Sequence, residues 1–171
     1  MNRYIKTTLV AASFVIALPA LAMAAAAPNF GGSWVRDAAK SKPVGFPTYW
    51  LTRAAPAGGG GNNEFLLEVR HEANRLSFSD PARPVRTMEL DGRPYTLPMP
   101  NGLQPATVTA TLLDGVVVVT RNEPYAGMPG NVAANVKETW SLSPDGKVLT
   151  IDTVRATPAL TQAYHEVFSR R

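Results

Sequence analysis

The sequence predicts an all-β protein, an antiparallel barrel or sandwich of about nine or ten short strands. Short alternating or apolar runs are separated by Asp-Gly and Pro-Asp-Gly turns, in which glycine supplies positive φ and proline presets the first corner. The 15 prolines and 13 glycines lie mostly between these runs, and windows with helical periodicity are poor. Repeated hairpins without intervening helices are typical of antiparallel architectures.

Three hairpins carry most of this prediction. Each joins two β-rich runs through a short polar turn, and the second and third use Asp114-Gly115 and Pro144-Asp145-Gly146. The paired runs are 64–70 with 75–79, 107–112 with 116–120, and 136–142 with 147–154. Such spacing places successive strands side by side, so we expect neighbours in sequence to be neighbours in the sheet.

Two further strands and a closing strand complete the predicted sheet. Asp91-Gly92 separates the runs 85–90 and 93–97, and the run 161–169 alternates as a final strand does. Only residues 36–42 and 157–163 could form a helical turn or two. We expect no second domain.

The first 24 residues have the layout of a cleaved secretory signal peptide. Arg3 and Lys6 form a basic start, residues 9–21 are almost wholly apolar, and Ala22-Met23-Ala24 supplies the small-x-small cleavage pattern. We therefore expect cleavage near Ala24-Ala25, a mature single domain over 25–171, and a periplasmic or secreted location. No later apolar run approaches a membrane-spanning length, so no membrane span is expected after cleavage.

Composition excludes several classes of function. The chain has no cysteine, which excludes a disulfide scaffold, a lipid anchor on an N-terminal Cys, and iron–sulfur chemistry. Its arginines are scattered singly among acidic and apolar residues, and the net charge is only +4, so no nucleic-acid partner is expected.

No catalytic or metal-binding motif is apparent, so we expect neither an enzyme nor a cofactor. His71 lies in a predicted turn and His165 on the last strand, far apart in sequence, and both are expected to be ordinary surface or packed residues. His-x-x-x-His and Gly-x-Ser-x-Gly are both absent. An enzyme acting at the mouth of the barrel through His165 or Glu138 ranks as a third hypothesis.

Two charged residues occupy strand positions that point to the same face as core residues. Glu138 shares its face with Val136 and Trp140, and Arg155 shares its face with Ile151. An unpaired buried charge is costly, so these two are expected either to pair across their hairpin or to form a head-group site.

Two patches of sequence resemble a known family. Gly32-Ser33-Trp34, followed by Lys40-Ser41-Lys42, is similar to the Gly-x-Trp opening of lipocalin-like (calycin) proteins, and 138–151 is similar to their late hairpin. The likeness is greatest to small secreted bacterial lipocalin-like proteins of mostly unassigned function. It implies a single antiparallel meander β-barrel of about 8–10 strands, with the final strand beside the first.

The same resemblance implies a structural latch. In lipocalins the tryptophan of Gly-x-Trp lies at the closed end of the barrel under an arginine from the last strand. The matching tryptophan is Trp34, with Arg170 the better placed arginine and Arg155 the other candidate. The chain departs from the family in lacking a clear second or third lipocalin motif.

The leading functional hypothesis is binding of a small apolar or amphipathic ligand at the open mouth of the barrel. Trp50, Tyr95 and Tyr125 lie in or beside the loops expected to rim that mouth, beside Tyr49, Met99 and Met128, and Glu138 with Arg155 could hold a head group. The alternative is an envelope interaction module with a filled barrel, whose unknown protein partner docks on loops around Gly58 or Tyr125.

Overall fold

The structure is a computed structural model that describes residues 28–42, 66–80, 83–97, 105–124 and 133–171. Ten β-strands in these ranges form one sheet. They are β1 Gly32–Arg36, β2 Leu66–Glu72, β3 Arg75–Asp80, β4 Arg83–Glu89, β5 Tyr95–Leu97, β6 Ala106–Leu113, β7 Val116–Pro124, β8 Ala133–Leu142, β9 Val148–Ala156 and β10 Thr161–Arg170.

The sheet is an antiparallel meander that curls into a half-barrel. Its strand order is β4-β3-β2-β1-β10-β9-β8-β7-β6-β5, so the last strand lies beside the first, with Trp34 opposite Arg170. The predicted all-β antiparallel meander is therefore confirmed, together with the pairing of the first and last strands.

The predicted turns end the strands with the expected backbone angles. Gly115 and Gly146 have φ of 81° and 68°, a region that residues with a side chain rarely adopt. In the turn between β8 and β9, Asp145 Oδ1 accepts hydrogen bonds from Ser143 Oγ at 2.6 Å and from the Lys147 N–H at 3.1 Å. The bond from Ser143 is the main reason that the pKa of Asp145 is lowered.

The Asp91-Gly92 segment is not a hairpin turn, because β4 and β5 are the two edges of the sheet and do not pair with each other. Asp91 instead forms an isolated bridge with Thr111 of β6, and the Gly92 N–H donates to the Ala110 carbonyl at 2.9 Å. Gly92 has a φ of 74°. The segment thus carries the chain from one edge of the sheet to the other.

The residues after β1 continue beside β10 and hydrogen-bond to its backbone. The Asp37 N–H donates to the Val167 carbonyl, the Lys42 N–H donates to the His165 carbonyl, and Ser41 Oγ accepts from the Val167 N–H at 3.0 Å. Ala38 to Lys40 form a turn there. Val167, on the outward face of β10, is buried.

The core lies on the concave face of the curled sheet, where alternate residues of each strand point inward. Trp34 and Trp140 are completely buried, and the ring centroids of Phe78 and Trp140 lie 5.9 Å apart. The other large core side chains include Phe30, Leu67, Leu76, Met88, Leu149, Ile151 and Phe168. Within the described part of the chain, no helix is long and apolar enough to span a membrane.

Candidate binding site on the concave face

Strand register carries charged side chains onto the concave face. Residues directly opposite each other in an antiparallel pair share a face. One row runs across five strands: Tyr95 of β5 faces Val108, Val108 faces Arg121, Arg121 faces Val136, and Val136 faces Arg155. Val108 and Val136 are buried core residues, so Arg121 and Arg155 lie on the same inward face.

A buried ion pair joins the two central strands of this region. Arg121 Nη1 donates to Glu138 Oε1 at 2.6 Å, and the side chains of both residues are almost completely inaccessible. Glu138 Oε2 also accepts a hydrogen bond from Trp140 Nε1 at 3.2 Å. Both carboxylate oxygens are thus engaged, which is what a buried charge requires.

A second pair of opposite charges joins β10 and β1 on the concave face. Glu166 Oε1 is 3.3 Å from Arg36 Nε, and Glu166 is only 3% exposed. Burial raises the pKa of Glu166 to about 7, a rise that the Arg36 guanidinium opposes and the Glu138 carboxylate reinforces. Glu166 therefore titrates close to neutral pH.

Two tyrosines place hydroxyl groups among these charges. Among the described residues, neither the Tyr95 nor the Tyr164 hydroxyl has a hydrogen-bond partner, although both oxygens are buried. Burial raises the pKa of both phenols, and the Arg155 charge acts in the opposite sense on Tyr164. Both hydroxyls thus remain protonated and able to donate.

We call the described charged and phenolic side chains in the middle of the concave face the polar belt. Arg86 lies on the same face, because it stands opposite Phe78 and its Cζ lies 5.5 Å from the centroid of that ring. The members are Arg36, Arg86, Tyr95, Arg121, Glu138, Arg155, Tyr164 and Glu166.

One end of the half-barrel is formed by the segment before β1 and the turn between β8 and β9. At this end, residues 28–31 lie against the Ser143–Gly146 turn, with Gly115 also lining the surface depression of about 560 Å³ between them. Trp34 donates from Nε1 to the Phe30 carbonyl at 3.0 Å there. We call this the packed end, and the other end, where β9 turns into β10, the β9–β10 end.

The arginine that stacks on Trp34 is Arg170. Its Cζ lies 4.3 Å from the centroid of the indole ring. Its guanidinium also donates to three carbonyls, those of Gly146 at 2.8 Å, Gly31 at 2.5 Å and Asn29 at 3.0 Å. Arg155, the other candidate, lies on β9 opposite Gln162 of β10, toward the β9–β10 end.

The ion-pair partner of Glu138 is Arg121, whereas the hairpin pattern of the sequence suggested Arg155. The carboxylate contacts Arg121 on β7 at 2.6 Å, whereas Arg155 stands opposite Val136, diagonal to Glu138 on β9. The Pro144-Asp145-Gly146 turn predicts that β8 pairs with β9. The long connection between β7 and β8 leaves the register of that second pair unpredicted by sequence. The parity of Arg121 with Val117 and Val119 is the signal that could have identified it.

The other predicted ligand-binding residues divide by position. Tyr95 lies on the concave face, half-buried, at the edge strand β5. Trp50 and Tyr125 lie outside the described residues. So do the signal segment 1–24, Tyr49, Gly58, Met99 and Met128.

Neither histidine takes part in the polar belt. His165 Nδ1 lies 2.7 Å from Asp152 Oδ1 on the exposed outer face. His71 packs edge-on against Phe30, with ring centroids 5.8 Å apart. Where the structure describes the chain, no three His, Asp or Glu side chains are grouped to hold a metal ion.

Comparisons with solved structures show a shared architecture. Secretory abundant heat soluble protein 4 from Ramazzottius varieornatus matches with a TM-score of 0.54 and 13% identity, over 88% of this chain and 99% of that one. Zebrafish ileal bile acid-binding protein complexed with cholic acid matches with a TM-score of 0.51 and 12% identity, over 83% and 98%. The fold is calycin-like.

At these identities the likeness concerns the fold alone. No protein-family model matches the sequence, and the curated proteins contain no match to it. The calycin-type architecture expected from the sequence is confirmed.

Proposed function

We propose that this protein binds a small amphipathic molecule on the concave face of its half-barrel and carries out no chemistry of its own. The observation that supports this most is the polar belt: buried charged and hydroxyl groups converge on a face otherwise lined by apolar side chains. Apolar walls with a few convergent polar groups are the usual composition of a small-molecule site. A fold shared with a bile acid-binding protein is consistent with that role.

A fluorescence titration tests the proposal. The mature chain is titrated with a fatty-acid-like or retinoid-like fluorescent probe, and freshly purified protein is analysed by native mass spectrometry for co-purified lipid. We expect saturable binding with one probe per chain. Absence of both saturable binding and co-purified ligand contradicts the proposal and favours the interaction module, whose barrel is filled with side chains.

We also propose that the protein acts outside the cytoplasm, after removal of residues 1–24. The support is the basic start, apolar stretch and Ala22-Met23-Ala24 pattern of the sequence. Expression of the full chain in a bacterial host, followed by cell fractionation and intact mass measurement, tests this. A product that begins near Ala25 in the periplasm or medium is expected, and an uncleaved cytoplasmic product overturns the proposal.

A further inference from the structure

A shallow depression of about 390 Å³ lies on the outer face of the sheet, across β6, β7, β8 and β9. Two cross-strand rows line it, because residues directly opposite each other in antiparallel strands share a face. These rows alternate along their strands with the buried core residues, so the depression is separate from the concave face. We call it the outer-face depression. One row contains Asn122 and Asn135, and the other contains Thr109, Thr120, Lys137 and Val154.

Lys137 supplies the charge in the outer-face depression. It is exposed, and it stands between the uncharged residues Thr120 and Val154. Among the described residues, no carboxylate forms an ion pair with its ammonium group. The acid nearest to it in strand register is Asp152, which lies diagonal to Lys137 and is engaged with His165 at 2.7 Å. A single unpaired positive charge in a surface depression favours a ligand with one negative charge.

The hydrogen-bonding groups beside Lys137 are held in place by cross-strand bonds. Asn122 Nδ2 donates to Asn135 Oδ1 at 2.9 Å, and the hydroxyl oxygens of Thr109 and Thr120 lie 2.5 Å apart. Each amide keeps a further group for a ligand, since Asn122 Oδ1 can accept and Asn135 Nδ2 can donate. Because these side chains are already ordered, binding through them costs little rotamer entropy.

Val154 supplies an apolar surface among these polar groups, and it is 45% exposed. An apolar side chain beside hydroxyl and amide groups suits a sugar ring, whose C–H surface is apolar and whose edges carry hydroxyls. A fatty acid would find too little apolar surface here, and a nucleic acid would need several cations along its phosphates. The chemistry of the depression therefore fits a hydroxyl-rich molecule with one carboxylate.

We propose that the outer-face depression binds a uronic acid, a sugar that carries a carboxylate, either free or within an oligosaccharide. The carboxylate pairs with the ammonium group of Lys137, and the ring hydroxyls bond to the Asn122 and Asn135 amides. The C–H surface of the ring lies on Val154. This site is independent of the ligand proposed for the concave face, so either proposal can fail without the other.

Glucuronate, glucose and glucosamine test the charge preference, because they share one ring and differ in charge. Each is titrated into the isotope-labelled mature protein and followed by NMR. We expect glucuronate to shift the backbone signals of β7 and β8 and the side-chain amide signals of Asn122 and Asn135. It should bind about threefold more tightly than glucose, since an exposed ion pair contributes modestly, and glucosamine should bind least. Equal affinity for glucuronate and glucose, or shifts confined to other surfaces, overturns the proposal.

Two further comparisons define the ligand. Hexanoate carries the carboxylate without the ring hydroxyls, and we expect it to bind more weakly than glucuronate; equal binding contradicts a sugar site. Galacturonate and its linear trimer distinguish a free sugar from an oligosaccharide. Tighter binding of the trimer supports an oligosaccharide ligand, equal binding supports a free sugar, and failure of both together with glucuronate overturns the proposal.

Variants assign the charge preference to Lys137. We expect Lys137→Gln to remove the preference for glucuronate over glucose, and Lys137→Glu to reverse it in favour of glucosamine. Both substitutions are at an exposed position, so far-UV circular dichroism should not change. Lys147→Gln is the matched control, because Lys147 is also exposed but lies in the turn between β8 and β9 at the packed end. A preference that survives in Lys137→Gln, or that is lost equally in Lys147→Gln, contradicts the assignment.

Discussion

Arg170 holds three separate chain segments together at the packed end. Its guanidinium stacks on Trp34 and donates to carbonyls of residues 29, 31 and 146. Lysine keeps the positive charge but lacks the planar fork that makes these contacts at once. The latch is therefore a matter of geometry as well as of charge.

We expect Arg170→Lys to lower the free energy of unfolding by about 1–3 kcal/mol, through loss of stacking and of charge-assisted hydrogen bonds. The measurement is urea denaturation followed by tryptophan fluorescence. Arg171→Lys serves as the control, because Arg171 bonds to the Ser33 carbonyl through its backbone N–H, which lysine also has. Equal stability of both variants contradicts the proposed latch.

Glu166 makes stability depend on pH in an unusual direction for a carboxyl group. Its pKa in the folded protein is raised from 4.5 to about 7, so the folded state holds a proton that the unfolded chain releases. The stabilising contribution is fully present below pH 4.5 and is lost as the pH rises through about 7.

Comparison of the wild type with Glu166→Gln isolates this effect. We expect the stability of the wild type relative to Glu166→Gln to fall between about pH 4.5 and 7 and to level off above that range. Thermal unfolding at several pH values provides the measurement. Glu89→Gln, at a surface pair with Arg75, is expected to keep the wild-type pH dependence. If the difference in stability between the wild type and Glu166→Gln does not change with pH, the assignment of this pH dependence to Glu166 is refuted.

At the scale of the elements, the turn between β2 and β3 is strained at Ala73. This residue has a φ of 49°, in the left-handed region that costs an L-residue about 1–2 kcal/mol. Asp114 has the same φ in the turn between β6 and β7, but its short polar side chain tolerates that conformation better than alanine does.

We expect Ala73→Gly to raise the free energy of unfolding by about 1 kcal/mol, because glycine removes the strain at positive φ. Ala39→Gly is the control: Ala39 lies in a turn with ordinary backbone angles, so glycine there should destabilise by about 0.4–1 kcal/mol. Differential scanning calorimetry measures both. A loss of stability in Ala73→Gly contradicts the interpretation.

The hairpins also show where local sequence suffices and where it does not. Asp114-Gly115 and Pro144-Asp145-Gly146 specify tight turns by themselves, and both join adjacent strands as predicted. Asp91-Gly92 has the same local signature, yet the strands around it lie at opposite edges of the sheet. The difference arises from a distant partner, since Asp91 bridges to Thr111 and Gly92 bonds to Ala110.

At the scale of the whole molecule, β1 is held between β2 and β10, which joins the two ends of the described chain in one sheet. Trp34 on β1 and Trp140 on β8 belong to the same buried cluster. Neither part of the sheet can bury its apolar face without the other, so we propose that residues 25–171 unfold as one domain.

Chemical denaturation of Trp50→Phe tests this cooperativity, because that variant reports fluorescence from Trp34 and Trp140 alone. We expect the fluorescence and far-UV circular dichroism transitions to have the same midpoint. The wild-type protein is measured in parallel, as a control for any effect of the substitution on stability. Midpoints that differ beyond experimental error show that the chain does not fold as a single unit.

The sequence by itself determined the all-β class, the hairpin turns and the inward parity of Glu138, because these depend on residues close together in the chain. Tertiary structure alone decided that Glu138 meets Arg121, that Arg36 meets Glu166, and that β4 and β5 form the edges. Those outcomes depend on register between strands joined by long connections, and register is fixed by the packing of the whole concave face rather than by any local pattern.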